Sequence, residues 1–298
     1  MTWLVVDAGN SAVKWAVSVS STYRFIGNGV QRHNADLQAQ LTAAWAGLPL
    51  TAAFGVSVAD PGVTQAIEGA VTAATGKRIE WFTTQRHFEG RGVAHSAALL
   101  NGYKNPAQLG ADRWHGMIAA CAKFPDESLI VVSCGTATTI DCIRAEPLAA
   151  AVFVGGVIAP GFDLMRGSLA SGTARLPLVE DAPSAPIAHA VSTEEAIATG
   201  VFFAQLGLVE NVVRDFSAEL EQDGKELPRL LLTGGRARAL LGPLSRSVLS
   251  EKAVSAISLE NGLALRGVAL RAHNERPAPA APASVDIAVT APLMGRDR

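Results

Sequence analysis

Two short segments of the chain each combine a β-rich run with a glycine turn, an arrangement that can bind phosphate. Residues 5–10 read Val-Val-Asp-Ala-Gly-Asn, and residues 131–136, which lie 126 positions later, read Val-Val-Ser-Cys-Gly-Thr. A second β-rich run follows each glycine, which predicts two β-hairpins. Backbone N–H groups in a tight glycine turn can cradle phosphate oxygens, and a side chain at the glycine would block their approach. The two segments therefore predict a cleft in which phosphates are bound by a glycine turn on each side. The alternative is that both are ordinary β-hairpins with glycine at the turn.

Two commoner phosphate motifs are absent from the sequence. No GxxxxGK[ST] segment occurs, which argues against a P-loop nucleotide-binding protein. No strand is followed by GxGxxG at the start of a helix, which argues against a dinucleotide-binding fold.

The remaining pattern predicts the helices and strands that must position these turns. Apolar residues at Leu37, Leu41 and Trp45 recur every four positions, which indicates a helix. Ser192 with Glu195 forms a capping box that begins another helix. The other predicted helices are 61–76, 111–123 and 259–272, the other strands are 52–58, 78–83 and 230–232, and residues 86–110 are predicted to be mostly loop, with a short helix around Ala97. The spacing of 126 residues is domain-sized, so it favours a duplicated α/β domain over a solenoid.

Composition excludes several classes of protein. Of 298 residues, 49% are hydrophobic and 17% are charged, which excludes an intrinsically disordered chain. The formal charge of -2 leaves no basic field for nucleic acid. The longest apolar stretch, residues 148–159, is interrupted by two glycines and is shorter than the ~20 residues of a membrane span. The start has no basic region and carries Asp7, so it does not resemble a signal peptide. We therefore expect a cytoplasmic protein without a membrane partner.

The three cysteines, Cys121, Cys134 and Cys142, are too few for a disulfide framework and lack CxxC spacing. A zinc site is not expected.

Four motifs, in order, resemble those of type III pantothenate kinases. Residues 7–14 (DAGNSAVK) are similar to the family's DxGNTxxK phosphate motif, and residues 110–113 match its GxDR motif. Residues 135–141 match the second phosphate motif, and residues 155–161 match the GGxIxPG loop. The resemblance covers about residues 3–272 and excludes the tail.

The resemblance implies an α/β fold of two duplicated actin-like (ribonuclease H-like) domains with an ATP cleft between them. We expect the first domain at residues 1–112, the second at 113–273 and a flexible Pro/Ala-rich tail at 274–298. The implied reaction transfers the γ-phosphoryl group of ATP to the 4′-hydroxyl of pantothenate, the first step towards coenzyme A. The family also implies a cytoplasmic homodimer that uses Mg²⁺ and usually a monovalent cation, potassium or ammonium.

The resemblance also implies roles for individual residues. The general base is Asp112, and Asp7 is expected to hold Mg²⁺ through water, since Mg²⁺ keeps much of its hydration shell. The residues expected to bind ATP are Asp7, Ala8, Gly9, Asn10, Ser11, Ala12, Val13, Lys14, Thr136, Gly234 and Gly235. Those expected to bind pantothenate are Tyr103, Gly110, Ala111, Asp112, Arg113 and Thr193.

Each assignment has a structural alternative. Asp112 could complement a helix dipole, and Asp7 could be an ordinary turn residue. Lys14 could be a solvated lysine, and Tyr103 a packed loop aromatic. Thr193 directly follows a helix N-cap, and the glycine pair at 234–235 could be a helix-start turn.

One position departs from the family. Many members carry Asp where this chain has Ser133, and that Asp ligates the monovalent cation. A neutral hydroxyl should bind such an ion more weakly, so we expect a weak potassium requirement or another source of the charge.

Two other functions are alternatives to the pantothenate kinase. One is a non-catalytic accessory or regulatory protein on the same fold, which loss of the GxDR aspartate would favour; Asp112 is present. The other is an actin-like kinase that acts on another small alcohol or acid.

Overall fold

The computed structural model describes residues 2–19, 24–90, 98–146, 148–179, 189–248 and 252–276. The chain builds two sheets. From edge to edge, the first consists of β3 (Arg24–Arg32), β2 (Ala12–Val19), β1 (Thr2–Ala8), β4 (Leu50–Ser57) and β5 (Glu80–Trp81). The second consists of β12 (Ala256–Leu259), β11 (Arg229–Thr233), β8 (Leu129–Cys134), β9 (Ala137–Arg144), β10 (Ala151–Pro160), β7 (Leu99–Asn101) and β6 (His87–Phe88).

The two sheets repeat one topology. In the first, β1 pairs antiparallel with β2 and parallel with β4, while β3 and β5 extend the two sides. In the second, β8 pairs antiparallel with β9 and parallel with β11, while β10 and β12 extend the two sides in the same senses. The predicted duplication is confirmed, because strand order and strand direction both recur.

Helices cover the faces of both sheets. The helices of the described residues are α1 (Leu37–Trp45), α2 (Pro61–Thr75), α3 (Ala111–Lys123), α4 (Phe162–Gly172), α5 (Thr193–Gln222), α6 (Ala237–Ser247) and α7 (Leu263–Glu275). The buried side chains of α1 and α2 pack on one face of the first sheet, and those of α7 pack on the other. In the second sheet, α4, α5 and α6 cover one face and α3 covers the other.

Helix ends follow the local chemistry that the sequence indicates. Pro61 stands at the first turn of α2, where its missing N–H costs nothing, and the Asp60 side chain accepts a hydrogen bond from the Gly62 N–H at 2.8 Å. Gly76 ends that helix in the left-handed region, at φ +68°. At α5, Ser192 Oγ accepts from the Glu195 N–H at 3.2 Å, so the predicted cap is confirmed.

The sheets divide the chain differently from the predicted domain boundaries. Strands β6 and β7 lie within residues 1–112, but β7 pairs with β10 and thereby extends the second sheet. Helix α7 lies at the other end of the chain, but it packs against the first sheet. Each half therefore contributes to the other half's layers.

Three local predictions differ from the structure. The segment predicted as loop contains β6, β7 and a short 3-10 helix (Pro106–Gln108), elements too short to show periodicity. Residues 256–259 are strand, so the last helix begins at Leu263 rather than 259. Asn274 and Glu275 still belong to that helix, whereas Ala97 and residues 277–298 of the predicted tail lie outside the described residues.

Helices α3 and α7 join the two sheets through a close crossing. A Cβ on Gly267 of α7 would lie 1.7 Å from the His115 carbonyl oxygen of α3, so only glycine fits there. His115 is fully buried; its Nδ1 lies 2.7 Å from the Ala111 carbonyl oxygen, and Nη1 of Arg271 lies 3.3 Å from its Nε2.

Of the helices in the described ranges, α5 is long and apolar enough to cross a membrane. Its residues Val209, Val213 and Phe216 are buried in the core over the second sheet. The apolar composition of this helix is therefore explained by packing within the protein.

Candidate active site

The two hairpins that the sequence singles out have similar glycine turns, of which the second is one residue shorter. In the first, β1 and β2 pair as far as Ala8 and Val13, and the Gly9 N–H donates to the Ala12 carbonyl at 3.1 Å. In the second, the Gly135 N–H donates to the Ala137 carbonyl at 3.0 Å. In both hairpins the glycine N–H donates to a carbonyl across the turn, three residues further on in the first hairpin and two residues further on in the second.

The tips of these hairpins meet. The Oγ of Ser11 and the Oγ1 of Thr136 lie 2.7 Å apart, and both residues are exposed, as is Asn10. By contrast, the side chains of Ala8 and Val13 are fully buried between the first sheet and helices α1 and α2. Of the predicted phosphate segment, the turn residues face solvent, while Ala8 and Val13 can offer a ligand only their backbone.

Asp7 lies at the base of the first hairpin and is 6% exposed. It pairs in register with Lys14, whose Nζ lies 3.5 Å from its Oδ2. Burial raises the pKa of Asp7, the negative charge of Asp112 raises it further, and Lys14 partly offsets both effects. The first hairpin and the GxDR motif thus place two carboxylates close enough to repel, and a cation shared between them would relieve that repulsion.

Asp112 and Arg113 lie in the first turn of α3, with Gly110 as its N-cap. The Oδ1 of Asp112 accepts a hydrogen bond from the Arg113 N–H at 2.8 Å, which fixes the carboxylate at the helix start. A Cβ on Gly110 would lie 2.7 Å from that same oxygen, so glycine leaves room for the carboxylate. Ala111, between them, is partly buried and contacts the core of the first sheet.

Arg113 is held from three directions. Its Nε and Nη2 donate to Asp141 of β9, with an Nη2–Oδ1 distance of 2.5 Å, and its Nη1 donates to the Tyr103 hydroxyl at 3.3 Å. The guanidinium carbon lies 5.9 Å from the centre of the Tyr103 ring and 6.0 Å from that of Phe153. Although burial lowers it, the hydrogen bonds with Asp141 and Tyr103 raise the pKa of Arg113 above its usual value. Arg113 is therefore a permanent, oriented cation.

Asp141 is a residue of the candidate site that sequence reasoning missed. It lies in the second phosphate motif but was assigned no role, and it is 2% exposed. It pairs across the sheet with Gly156, where a Cβ would lie 2.8 Å from its Oδ1 and 3.1 Å from the Arg113 Nη2. A lone carboxylate inside an apolar strand is the signal that could have found it, since such groups are buried only when paired.

The second hairpin is in contact with two further glycine segments. The Gly161 N–H donates to the Thr136 carbonyl at 2.9 Å, and a Cβ there would lie 2.3 Å from the Gly135 oxygen. Gly234 follows β11 with φ +96°, and its Cβ would lie 2.4 Å from the Cys134 oxygen. Gly235 faces open space. The GGxIxPG loop and the 234–235 turn thus both pack on the hairpin that carries Thr136.

Thr193 lies in a different environment. It is the first residue of α5 and lines a groove of about 560 Å³ between α4 and α5, beside Met165, Leu169 and Val201. Among the described contacts it has no hydrogen bond to Tyr103, Asp112 or Arg113. The structure therefore unites the other predicted substrate residues but does not bring Thr193 to them within one chain.

Few side chains of the site could hold a metal ion. The described residues contain no group of three or more His, Cys, Asp or Glu side chains that could hold a metal ion. Asp7, with Asp112 nearby, fits an ion that binds through one or two carboxylates and keeps its water, as Mg²⁺ does.

The three cysteines are free and buried, and burial raises the pKa of each thiol to about 12.

Two sheets of one topology, whose glycine hairpins meet at their tips, define a protein of the actin-like fold. The chain is also similar to known proteins. A family model described as "Type III pantothenate kinase" matches residues 3–215, and the chain belongs to this family.

Relatives support this assignment, and a solved structure shares the fold. The chain is 36% identical to the type III pantothenate kinase of Burkholderia thailandensis over 91% of this chain and 98% of that protein. It is 35% identical to that of Cupriavidus taiwanensis over 81% of this chain and 90% of that protein. A crystal structure described as a 2-dehydro-3-deoxygalactonokinase protein from Sinorhizobium meliloti is 12% identical, covers 93% of this chain and all of its own, and has a TM-score of 0.52. That likeness concerns the fold alone.

Proposed function

We propose that this chain transfers the γ-phosphoryl group of ATP to the 4′-hydroxyl of pantothenate, the first step towards coenzyme A. The observation that carries the proposal is the start of α3, where Asp112 and the oriented Arg113 stand side by side and the Asp112 charge raises the pKa of Asp7. An acceptor that carries both a hydroxyl and a carboxylate matches this carboxylate and cation. Pantothenate carries both groups.

The residues divide the reaction between them. Arg113 binds the substrate carboxylate through the N–H groups of Nη1 and Nη2 that Asp141 and Tyr103 leave free, and Tyr103 borders the same site. Asp112 accepts the proton of the hydroxyl while the hydroxyl oxygen forms a bond to the γ-phosphorus and the bond to the β-phosphate oxygen breaks. The products are phosphopantothenate, ADP and a proton on Asp112. The protein's contribution is mainly positioning and charge stabilisation, as expected for phosphoryl transfer.

The phosphates are bound between the hairpin tips. The backbone N–H groups of residues 10–12 and of Thr136, with the hydroxyls of Ser11 and Thr136, line the point where the tips meet, while the N–H groups of Gly9 and Gly135 are bonded within their own turns. The 234–235 turn contacts the adenosine side, and Lys14 lies beside Asp7. Asp7 would hold Mg²⁺ through water, and the ion, when bound, neutralises phosphate charge.

A coupled assay for ADP release tests the function. We expect release that depends on both pantothenate and Mg²⁺, measured beside a panel of sugars and hydroxy acids at equal concentration. Release supported by another alcohol but not by pantothenate would contradict the proposed substrate. Absence of release with every acceptor would favour a non-catalytic protein.

The monovalent cation requirement is expected to be weak. Ser133 pairs in register with Thr139 on one side and Thr233 on the other, so its neighbours across both strands are neutral hydroxyl residues. Rates measured in potassium, ammonium, sodium and monovalent-free buffer should differ little for the native chain and more for Ser133→Asp. A steep potassium requirement in the native chain would show that other oxygens complete an ion site.

We also propose a cytoplasmic homodimer. Large apolar side chains are exposed on β10, α4 and α5, including Ile158 at 63%, Leu164 at 50% and Phe203 at 44%. Exposed apolar groups of this size are typical of association surfaces. Light scattering on the eluting protein should yield a mass of two chains; a monomer at micromolar concentration would contradict the dimer.

A further inference from the structure

An ion pair outside the described catalytic residues connects the two glycine segments that pack on the second hairpin. Asp163 stands in the first turn of α4, two residues after Gly161, and Arg236 is the N-cap of α6, directly after the 234–235 turn. The Nη2 of Arg236 donates to Asp163 Oδ1 at 2.8 Å. The same carboxylate accepts a hydrogen bond from Arg166 of α4.

Backbone contacts attach each partner of this ion pair to the hairpin. The Arg236 N–H donates to the Cys134 carbonyl at 3.3 Å, and the Gly161 N–H donates to the Thr136 carbonyl at 2.9 Å. The ion pair therefore closes a ring that runs from the hairpin through α4, across Asp163 and Arg236, and back to the hairpin. The ion pair thus adds a direct side-chain link between the α4 start and the 234–235 turn.

The charges in this ring are arranged to stay paired. Burial alone raises the pKa of Asp163, but hydrogen bonds from Arg166 and Arg236 lower it below the usual value, so the carboxylate is ionised at neutral pH. The Arg166 side chain is 4% exposed, which makes its partnership with Asp163 part of the packing. The Arg236 side chain is 41% exposed, so Arg236 can be substituted without disturbing the packed core.

We propose that Asp163 and Arg236 form a nucleotide clamp, a pair of positioning residues that fixes the 234–235 turn relative to the phosphate hairpin and so sets the affinity for ATP. The inference rests on the proposed placement of the nucleotide against Thr136 and the glycine pair. A nucleotide that touches both segments spans the parts that this ion pair connects. Loss of the pair leaves the turn held only by its backbone contacts to the hairpin, so that it can shift relative to α4, which weakens ATP binding without changing the pantothenate site.

The clamp is tested by equilibrium binding of Mg-ATP to the full chain, measured by calorimetry without pantothenate. Arg236→Gln should raise the Kd for ATP about fivefold, the upper range for a partly exposed ion pair. Arg236→Lys should keep most of the affinity. The matched control is Arg238→Gln, which removes an equal charge from an exposed position two residues along α6 and should leave Kd unchanged.

A double variant separates positioning from direct contact. If the two side chains act as one unit, Asp163→Asn combined with Arg236→Gln should bind ATP no worse than Arg236→Gln alone. Multiplied effects in the double variant would overturn the clamp, because they would mean that Arg236 touches the nucleotide itself. An unchanged Kd in Arg236→Gln, or an equal loss in Arg238→Gln, would overturn it as well.

Two further measurements keep the outcomes distinct. In steady-state assays, the clamp predicts a raised KM for ATP with kcat and the KM for pantothenate within about twofold of native. If Asp163→Asn does not fold, the three single arginine variants still decide the question. Failure of the native chain to turn over pantothenate would contradict the proposed function but would leave the ATP-binding comparison intact.

Discussion

Two neighbouring side chains of opposite charge, those of Asp112 and Arg113, carry the proposed chemistry. Each has its own hydrogen-bond partner, so the two do not form an ion pair with each other. Asp112 is bonded to the helix start through the Arg113 N–H, while the guanidinium of Arg113 turns towards Asp141. Because Arg113 already has its own carboxylate partner, it does not neutralise Asp112. The carboxylate of Asp112 is thereby left available to a substrate hydroxyl.

Replacing the proposed base should abolish most turnover. Asp112→Asn keeps the hydrogen-bond acceptor for the Arg113 N–H but cannot accept the substrate proton, and a positioned general base typically contributes about 10²–10⁴-fold. We expect kcat to fall within that range while the melting temperature changes little. Asp215→Asn, at an exposed position on α5, is the control and should keep the native rate. An Asp112→Asn variant with nearly full kcat would assign this residue to the helix dipole instead.

Removing the partner of Arg113 should affect both stability and substrate binding. In Asp141→Asn, the buried guanidinium loses its counter-charge, which costs about 3–5 kcal/mol in other buried pairs. We expect a loss of that order in the free energy of unfolding in urea, and a raised KM for pantothenate. Asp223→Asn, which breaks a more exposed pair with Arg144 at 3.6 Å, should cost less than ~1 kcal/mol. Equal losses in the two variants would contradict the buried role of Asp141.

The elements around the second hairpin depend on glycine where backbone segments touch. Gly234 has both a positive φ and a Cβ position 2.4 Å from the Cys134 oxygen, whereas Gly235 has open space. The two glycines look equivalent in the sequence, but only Gly234 is in a position that requires glycine.

The glycine pair provides a matched comparison. Gly234→Ala must move the turn away from the hairpin, so we expect a clear drop in melting temperature and weaker ATP binding. For Gly235→Ala, the expected change in the free energy of unfolding is below ~1 kcal/mol, since no atom opposes the new methyl group. Similar melting temperatures for the two variants would show that the turn is not held as described.

Local chemistry made some elements predictable from the sequence and left others hidden. The hairpins, α2, α3 and the start of α5 were predicted closely, because glycine, proline and capping residues mark their ends. The short strands β6 and β7 were missed, because two or three residues carry no period. The Asp141–Arg113 pair was missed because its partners lie 28 positions apart and meet only when β9 and α3 are packed.

At the scale of the whole molecule, α3 and α7 are where the two halves meet. His115 stacks on Phe82 with ring centroids 5.9 Å apart, and Arg271 donates to the Thr83 carbonyl at 2.6 Å. Burial lowers the pKa of His115 to about 3; the hydrogen bond to Ala111 opposes this shift, and the nearby charge of Arg271 adds to it. The junction is therefore built around a neutral histidine.

This neutral histidine should make the molecule sensitive to acid. Between about pH 6.5 and about 3, the unfolded chain binds a proton at His115 that the folded chain does not. The free energy of unfolding should therefore fall as the pH drops below about 6.5. His115→Gln should be less stable at neutral pH but should show a flatter acid limb in urea unfolding. The exposed His189→Gln should retain the native slope; an unchanged slope in His115→Gln would contradict this origin.

The duplicated topology was predictable because both hairpins carry their own signal, but the way the halves exchange elements was not. Pairing of β7 with β10 and packing of α7 on the first sheet depend on contacts between residues far apart in sequence. Periodicity reports that a segment has an apolar face and does not report which sheet covers it. The fold class could be predicted, whereas the boundaries between its layers required the structure.

Because α7 is translated late and covers one face of the first sheet, that face stays uncovered during most of the protein's synthesis. The apolar face formed by Trp3, Val5 and Phe54 is covered by Leu265, Val268 and Ala269, which are translated more than two hundred residues later. While the ribosome is still making the second half, that face of the first half has no cover and is open to aggregation or to a chaperone. A stop codon ahead of residue 263 should therefore yield insoluble protein, even though every proposed catalytic residue has already been made.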